Sequence, residues 1–199
     1  MQKDKQLLIW LIRHGETEWN KLKKVQGRQD IELNETGIAQ ANAVGKYAQN
    51  VDWDAIVTSP LKRTVKTAEC IAANLNKPVP VYIEDDLIER HYGKAAGLTY
   101  EERLAIFKNQ SIEGMEELVD LEKRAWRLLD RLLNQWQGKR IMAVTHGGLI
   151  KTILSAVSKN TLKRDDIFVG NGSISSIHYS NNDWHIDLYN ETDHLTKDY

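Results

Sequence analysis

Six short apolar runs punctuate the chain, at Leu7–Ile12, Ala55–Thr58, Val79–Ile83, Arg140–Thr145, Ser173–Tyr179 and Trp184–Tyr189. Their length suits strands rather than helices, and the two middle runs carry the compact apolar character of strands buried on both faces. Between them the apolar positions recur at helical spacing. Asn34–Gln49 puts Ile38, Ala41, Val44 or Gly45, and Ala48 on one side. Leu61–Leu75 follows Ser59, which can cap, and Pro60, which suits a first helical position. Met115–Trp136 repeats Leu118, Ala125, Leu129, Leu132 and Trp136 among charged residues, and Gly147–Ser158 forms a further helix. Strand–helix alternation of this kind predicts an α/β fold with a mostly parallel sheet. The last two runs are joined by Ser-Asn-Asn-Asp, so an antiparallel edge is expected. Residues of about 88–137 interrupt the alternation and predict a helical insertion over one end of the sheet.

Composition narrows the class. The 199 residues suit one domain, 1–199, and 41% hydrophobic with 28% charged residues is ordinary for a soluble globule. A net charge of −1 gives no global field for nucleic acid or an anionic membrane, so neither is expected as a partner, and any anion site must be local. Cys70 is the single cysteine, which rules out an intrachain disulfide and a cysteine zinc cluster. Leu7–Ile12 is too short to span a bilayer and lacks a cleavage pattern, which makes the cytoplasm the expected location. No feature of the chain specifies an oligomeric state.

The chemistry gathers at strand ends. In open parallel sheets ligands bind beyond the carboxyl ends of the strands. The first run ends in Arg13-His14-Gly15, the second in Thr58-Ser59-Pro60 with Arg63 just after, and a later one in Thr145-His146-Gly147. Two arginines and two histidines converging without partner acids call for an anion, and guanidinium forks match phosphate oxygens. A neutral imidazole can attack phosphorus if its other nitrogen is held protonated. The leaving oxygen then needs a general acid, and Glu89 in Asp-Asp-Leu-Ile-Glu-Arg-His-Tyr-Gly is placed for it. Like-charge repulsion from a bound phosphate would keep such a carboxyl protonated.

These residues resemble the histidine phosphatase superfamily, in its phosphoglycerate mutase-like branch. The resemblance runs through "LIRHGETEWN", "VQGRQDIELNETGIAQA", "TSPLKRTVKTAE", "LIERHYGKAAGLT", "VTHGG" and "NGSISSI", and covers nearly the whole chain. It implies a three-layer α/β/α sandwich with a helical lid. It implies His14 as the residue phosphorylated, Arg13, Arg63 and His146 around the phosphoryl oxygens, and Glu89 as proton donor. Asn20, Gln26 and Gly27 match positions lining the phosphate or substrate, and the Gly147 backbone adds a contact. No metal or organic cofactor is implied.

Within that branch, "ERHYG" followed by "GL" is similar to the cofactor-dependent mutases, but three positions depart. Tyr100 stands where they carry lysine, no double arginine occurs between residues 100 and 138, and Gly148 stands where they place asparagine. A mutase must rebind an acidic sugar phosphate, whereas a phosphatase need only admit water. The missing grips favour a metal-independent phosphomonoesterase acting on small phosphorylated metabolites, with a mutase as the alternative and a non-catalytic phospho-ligand module as the alternative of another class. Ala96 replaces a glutamate found in many phosphatases of the branch. Tyr92, Tyr100, Phe107 and Met115 are candidates to line the substrate side, against ordinary packing of the lid. Lys21, Lys23 and Lys24 are candidates to attract anions, against a plain solvated loop. The Trp126–Trp136 side of the long helix is read as core, His91 as scaffold or surface, and His178, His185 and His194 as surface. A metal site on His14 and His146 finds no supporting carboxylate–histidine spacing.

Overall fold

A computed structural model describes residues 6–108 and 110–195. Six strands form one sheet: β1 (Leu7–Arg13), β2 (Ala55–Thr58), β3 (Val81–Ile83), β4 (Arg140–Thr145), β5 (Ile174–Ser180) and β6 (Asp183–Glu191). Their order across the sheet is β3-β2-β4-β1-β5-β6. The first four are mutually parallel, and β5 and β6 add an antiparallel edge beside β1. The carboxyl ends of β1, β4 and β2 therefore lie side by side, with Arg13 in register with Thr145 and Thr58 with Val144.

Alternation along the strands creates the layers. Leu7, Ile9, Leu11, Val57, Ile141 and Ala143 pack on α5 (Leu118–Trp136) and α6 (Gly147–Val157). Ile12, Ile56, Met142 and Val144 pack on α2 (Glu35–Ala48) and α3 (Lys62–Ala73). The result is a three-layer α/β/α sandwich. Leu121, Ala125, Leu128, Leu129 and Leu132 of α5 are essentially fully buried. Leu129→Ala is accordingly expected to cost about 2–5 kcal/mol through lost burial and a residual cavity, read as a lowered urea midpoint.

Several local expectations are corrected. The insertion expected over 88–137 divides, because α5 belongs to a sandwich layer. Only the stretch before it, with α4 (Tyr100–Phe107), stands outside the layers. β3 begins after Pro80, which has no N–H for the ladder, and its three residues are exposed because it is an edge strand. α3 begins at Lys62 with Leu61 as its cap residue, and the Ser59 hydroxyl accepts from the Leu61 N–H at 3.4 Å and bonds His146 Nε2 at 2.8 Å instead of capping the first turn. α5 starts at Leu118 rather than Met115, and Leu118, Ile38 and Trp126 are exposed. Tyr100 is also exposed, and His194 is half-buried with its ring 5.2 Å from that of Tyr47. No helix among the described residues is long and apolar enough to cross a membrane.

Candidate active site

A cavity of about 290 Å³ opens at the carboxyl ends of β1 and β4. Arg13, His14, Asn20, Gln26, Gly27, Arg63, Glu89, Tyr92 and Gly147 border it. His146 does not. It is fully buried behind His14, with ring centres 5.2 Å apart and Nε2 bonded to the Ser59 hydroxyl at 2.8 Å. Tyr100, Phe107 and Met115 are not part of the wall, and of the three early lysines only Lys24 is.

Backbone fit brings the His14 segment to this point. A Cβ on Gly15 would lie 2.2 Å from the Gly37 carbonyl oxygen, so only glycine lets the turn after β1 approach α2 this closely. The Gly15 N–H donates to Thr67 Oγ1 at 3.1 Å. Asn171 donates from Nδ2 to the His14 carbonyl at 3.1 Å and to Asn20 Oδ1 at 3.1 Å, tying the antiparallel side of the sheet to the site. Asn20 also closes a capping box with Thr17 on the short helix α1 (Glu18–Lys21).

The contacts of His14 fix its tautomer. Nδ1 lies 2.7 Å from the Gly15 carbonyl oxygen, and the Arg63 Nε–H donates to Nε2 at 3.2 Å. A carbonyl requires a donor and a guanidinium requires an acceptor, so Nδ1 carries the proton and Nε2 the lone pair. Burial holds the His14 pKa well below the ordinary histidine value, with the Arg63 and Arg13 charges acting in the same direction. Burial does the same to His146, again helped by Arg63. Desolvation also lowers Arg63, to about 10. Its terminal nitrogens donate to the carbonyls of Gln29 and Gly27, at 2.7 Å each. Arg13 donates to the Val169 carbonyl at 2.6 Å, while its Nε is buried without a partner, as is Gln26 Oε1. Buried polar atoms without a partner are rare, and both belong to residues that border the cavity.

Glu89 is held opposite. Its Oε2 accepts from the Gly148 N–H at 3.0 Å and its Oε1 from its neighbour Arg90 at 2.8 Å. The turn that carries it is braced by buried Arg124, which donates to the Asp86 and Ile88 carbonyls at 2.8 and 2.6 Å and pairs with Glu116 at 3.0 Å. Thr145 Oγ1 adds a bond to the Leu87 carbonyl at 2.6 Å. A Cβ at position 148 would lie 2.5 Å from Glu89 Oε1, so glycine there leaves room for the carboxylate. Gly148→Ala is therefore expected to push Glu89 aside and lower kcat by roughly 10²-fold, with the unfolding temperature little changed. Steady-state kinetics beside a thermal melt checks this.

Sequence reasoning missed Lys151, Arg164 and Val169, which also border the cavity, and the bracing roles of Asn171 and Arg124. Lys151 had a usable signal, since it lies four residues beyond Gly147 on the same helix and so shares its face. Arg164 follows the end of α6 and carried none.

The model of the histidine phosphatase superfamily, branch 1, matches residues 9–192. The chain belongs to that superfamily. An uncharacterized phosphatase, PhoE, of Bacillus subtilis is 37% identical over 188 residues, spanning 94% of this chain and 96% of the relative. A metal-independent phosphoserine phosphatase of Arabidopsis thaliana is 32% identical over 204 residues, spanning 94% and 83%. The crystal structure of an Entamoeba histolytica phosphoserine phosphatase in complex with 3-phosphoglyceric acid superposes with a TM-score of 0.83 at 30% identity. That match covers 96% of this chain and 100% of that one.

Proposed function

We propose that the protein is a metal-independent phosphomonoesterase that works through a phosphohistidine at His14. The observation that carries this reading is the pair of contacts on one imidazole, Nδ1–H to the Gly15 carbonyl and the Nε2 lone pair beside Arg63. In the proposed reaction Nε2 attacks phosphorus and the ester P–O bond breaks. Arg13 and Arg63 offset the charge on the phosphoryl oxygens, while Glu89 passes its proton to the leaving oxygen. Water then attacks the phosphohistidine. Glu89 takes a proton from that water, and phosphate departs with His14 restored. His146, behind His14 and bonded to the Ser59 hydroxyl, positions the nucleophile. Asn20, Gln26, Gly27, Tyr92 and the Gly147 backbone line the substrate side. The names of the relatives, phosphatases among them, support the same class, and a cytoplasmic location suits small phosphorylated substrates.

The test is phosphate release from a panel of small phosphomonoesters in EDTA, beside an assay of phosphoglycerate interconversion primed with 2,3-bisphosphoglycerate. Release unaffected by the chelator is expected. Loss of release in EDTA, or interconversion far outpacing release, would reject the reading in favour of metal chemistry or a mutase. Ligand binding without turnover of any ester would leave a non-catalytic module.

The acid limb of kcat/KM follows from the environment of His14. The attacking form is neutral, and a lowered pKa keeps it neutral further into acid. That limb reports the free enzyme. It is expected well below the ordinary histidine value of about 6.5. An acid limb at or above that value would contradict the burial of His14.

A further inference from the structure

The cavity holds more positive charge than one phosphoryl group needs. Besides Arg13 and Arg63 it is bordered by Lys24, Lys151 and Arg164, against the single acid Glu89. Lys151 rises from α6 one turn beyond Gly147 and is half-buried. Arg164 is fixed beside it. Its Nε donates to Thr152 Oγ1 at 3.1 Å, and its side chain keeps only 20% of its exposure. The acid that acts most on Lys151 is Asp165, itself exposed and paired with Arg164 at 3.2 Å. Burial lowers the Lys151 ammonium pKa, and Arg164 and Arg13 lower it further. Two cations that repel each other at the edge of a cavity, with no buried acid between them, form a built receptor for an anion.

We infer that Lys151 and Arg164 form a second anion subsite, which selects phosphomonoesters carrying another anionic group, carboxylate or phosphate, on the alcohol side. The inference rests on the phosphatase reading and supplies what that reading lacks, a determinant of substrate class. A cavity of about 290 Å³ suits small molecules, in which the two anionic groups stand a few bonds apart. The sequence offered no double arginine between residues 100 and 138, and the subsite comes instead from the helix after His146 and the turn that follows it. Lys24, from the segment after α1, adds a further positive charge to the cavity border.

A matched set of esters tests this. Glycerol 3-phosphate, 3-phosphoglycerate and propane-1,3-diol bisphosphate differ chiefly in the group distal to one phosphate. The native protein is expected to favour one or both doubly anionic esters over glycerol 3-phosphate by about tenfold or more in kcat/KM, with the preference shrinking as salt rises. Lys151→Gln and Arg164→Gln should each remove most of that preference while changing glycerol 3-phosphate hydrolysis less than about threefold, and Lys151→Arg should restore it. The arm with the larger loss identifies the group as carboxylate or phosphate. Equal losses on all esters, or no preference in the native protein, would overturn the subsite. If no ester is hydrolysed, the phosphatase reading fails by itself. The subsite is then judged by calorimetric dissociation constants for the same esters, where the same ratios uphold it and equal affinities overturn it.

Discussion

His14→Ala is expected to remove turnover, lowering kcat by on the order of 10⁴-fold or more, while the protein stays folded and still binds orthovanadate. The size follows from what is lost. The variant keeps the cationic cradle of Arg13 and Arg63 but has no atom to accept the phosphoryl group. Direct attack by water would have to occur in a cavity arranged around an imidazole. Quenching the native protein in alkaline detergent during turnover of a ³²P-labelled ester should trap label that is stable to alkali and released by acid, as a phosphoramidate is, and the variant should trap none. Substantial residual turnover with intact binding would show that His14 is a ligand rather than the nucleophile. A folded variant that loses vanadate binding together with activity would point to a structural role.

Glu89→Gln carries the second large effect, a loss of about 10²–10⁴-fold whose size depends on the leaving group. An alkyl ester leaves as a strong base and needs the proton, so it should suffer the full loss. A p-nitrophenyl ester leaves as a stable phenolate and should suffer much less at the phosphorylation step. Glutamine can still accept the Gly148 N–H now bonded to Glu89 Oε2, but its amide nitrogen cannot accept the Arg90 N–H now bonded to Oε1, so the dependence on the leaving group, rather than the size of the loss, isolates the proton. Equal losses on both esters in the rate of the phosphorylation step itself would remove Glu89 from protonating the leaving oxygen and leave it a positioning group at that step. The bracing of its turn by Arg124 gives a related reference: a defect from misplacement should not depend on the leaving group.

The short apolar runs and the periodic segments between them were enough to specify the class of fold, because the alternation along each strand and the spacing along each helix are local properties of the chain. Arg13-His14-Gly15 and Thr145-His146-Gly147 were legible for the same reason, standing at the ends of runs that could only be strands. What lay beyond the sequence depends on distances between segments far apart in it. The sheet order puts β4 between β2 and β1, which joins the two histidine motifs but sends His146 behind His14 and out of the cavity wall. Ser59, read as a helix cap, turned to His146, a partner supplied only by the neighbouring strand end. The long helix carries the same periodicity in a sandwich layer as in a lid, and only its packing on β1 and β4 assigned it to the layer. Lys151 and Arg164 were ordinary surface charges until the turn after α6 brought one beside the other at the cavity edge. Local chemistry was written in residue order, whereas the facing of charges across the cavity arose from chain crossings that no single segment encodes.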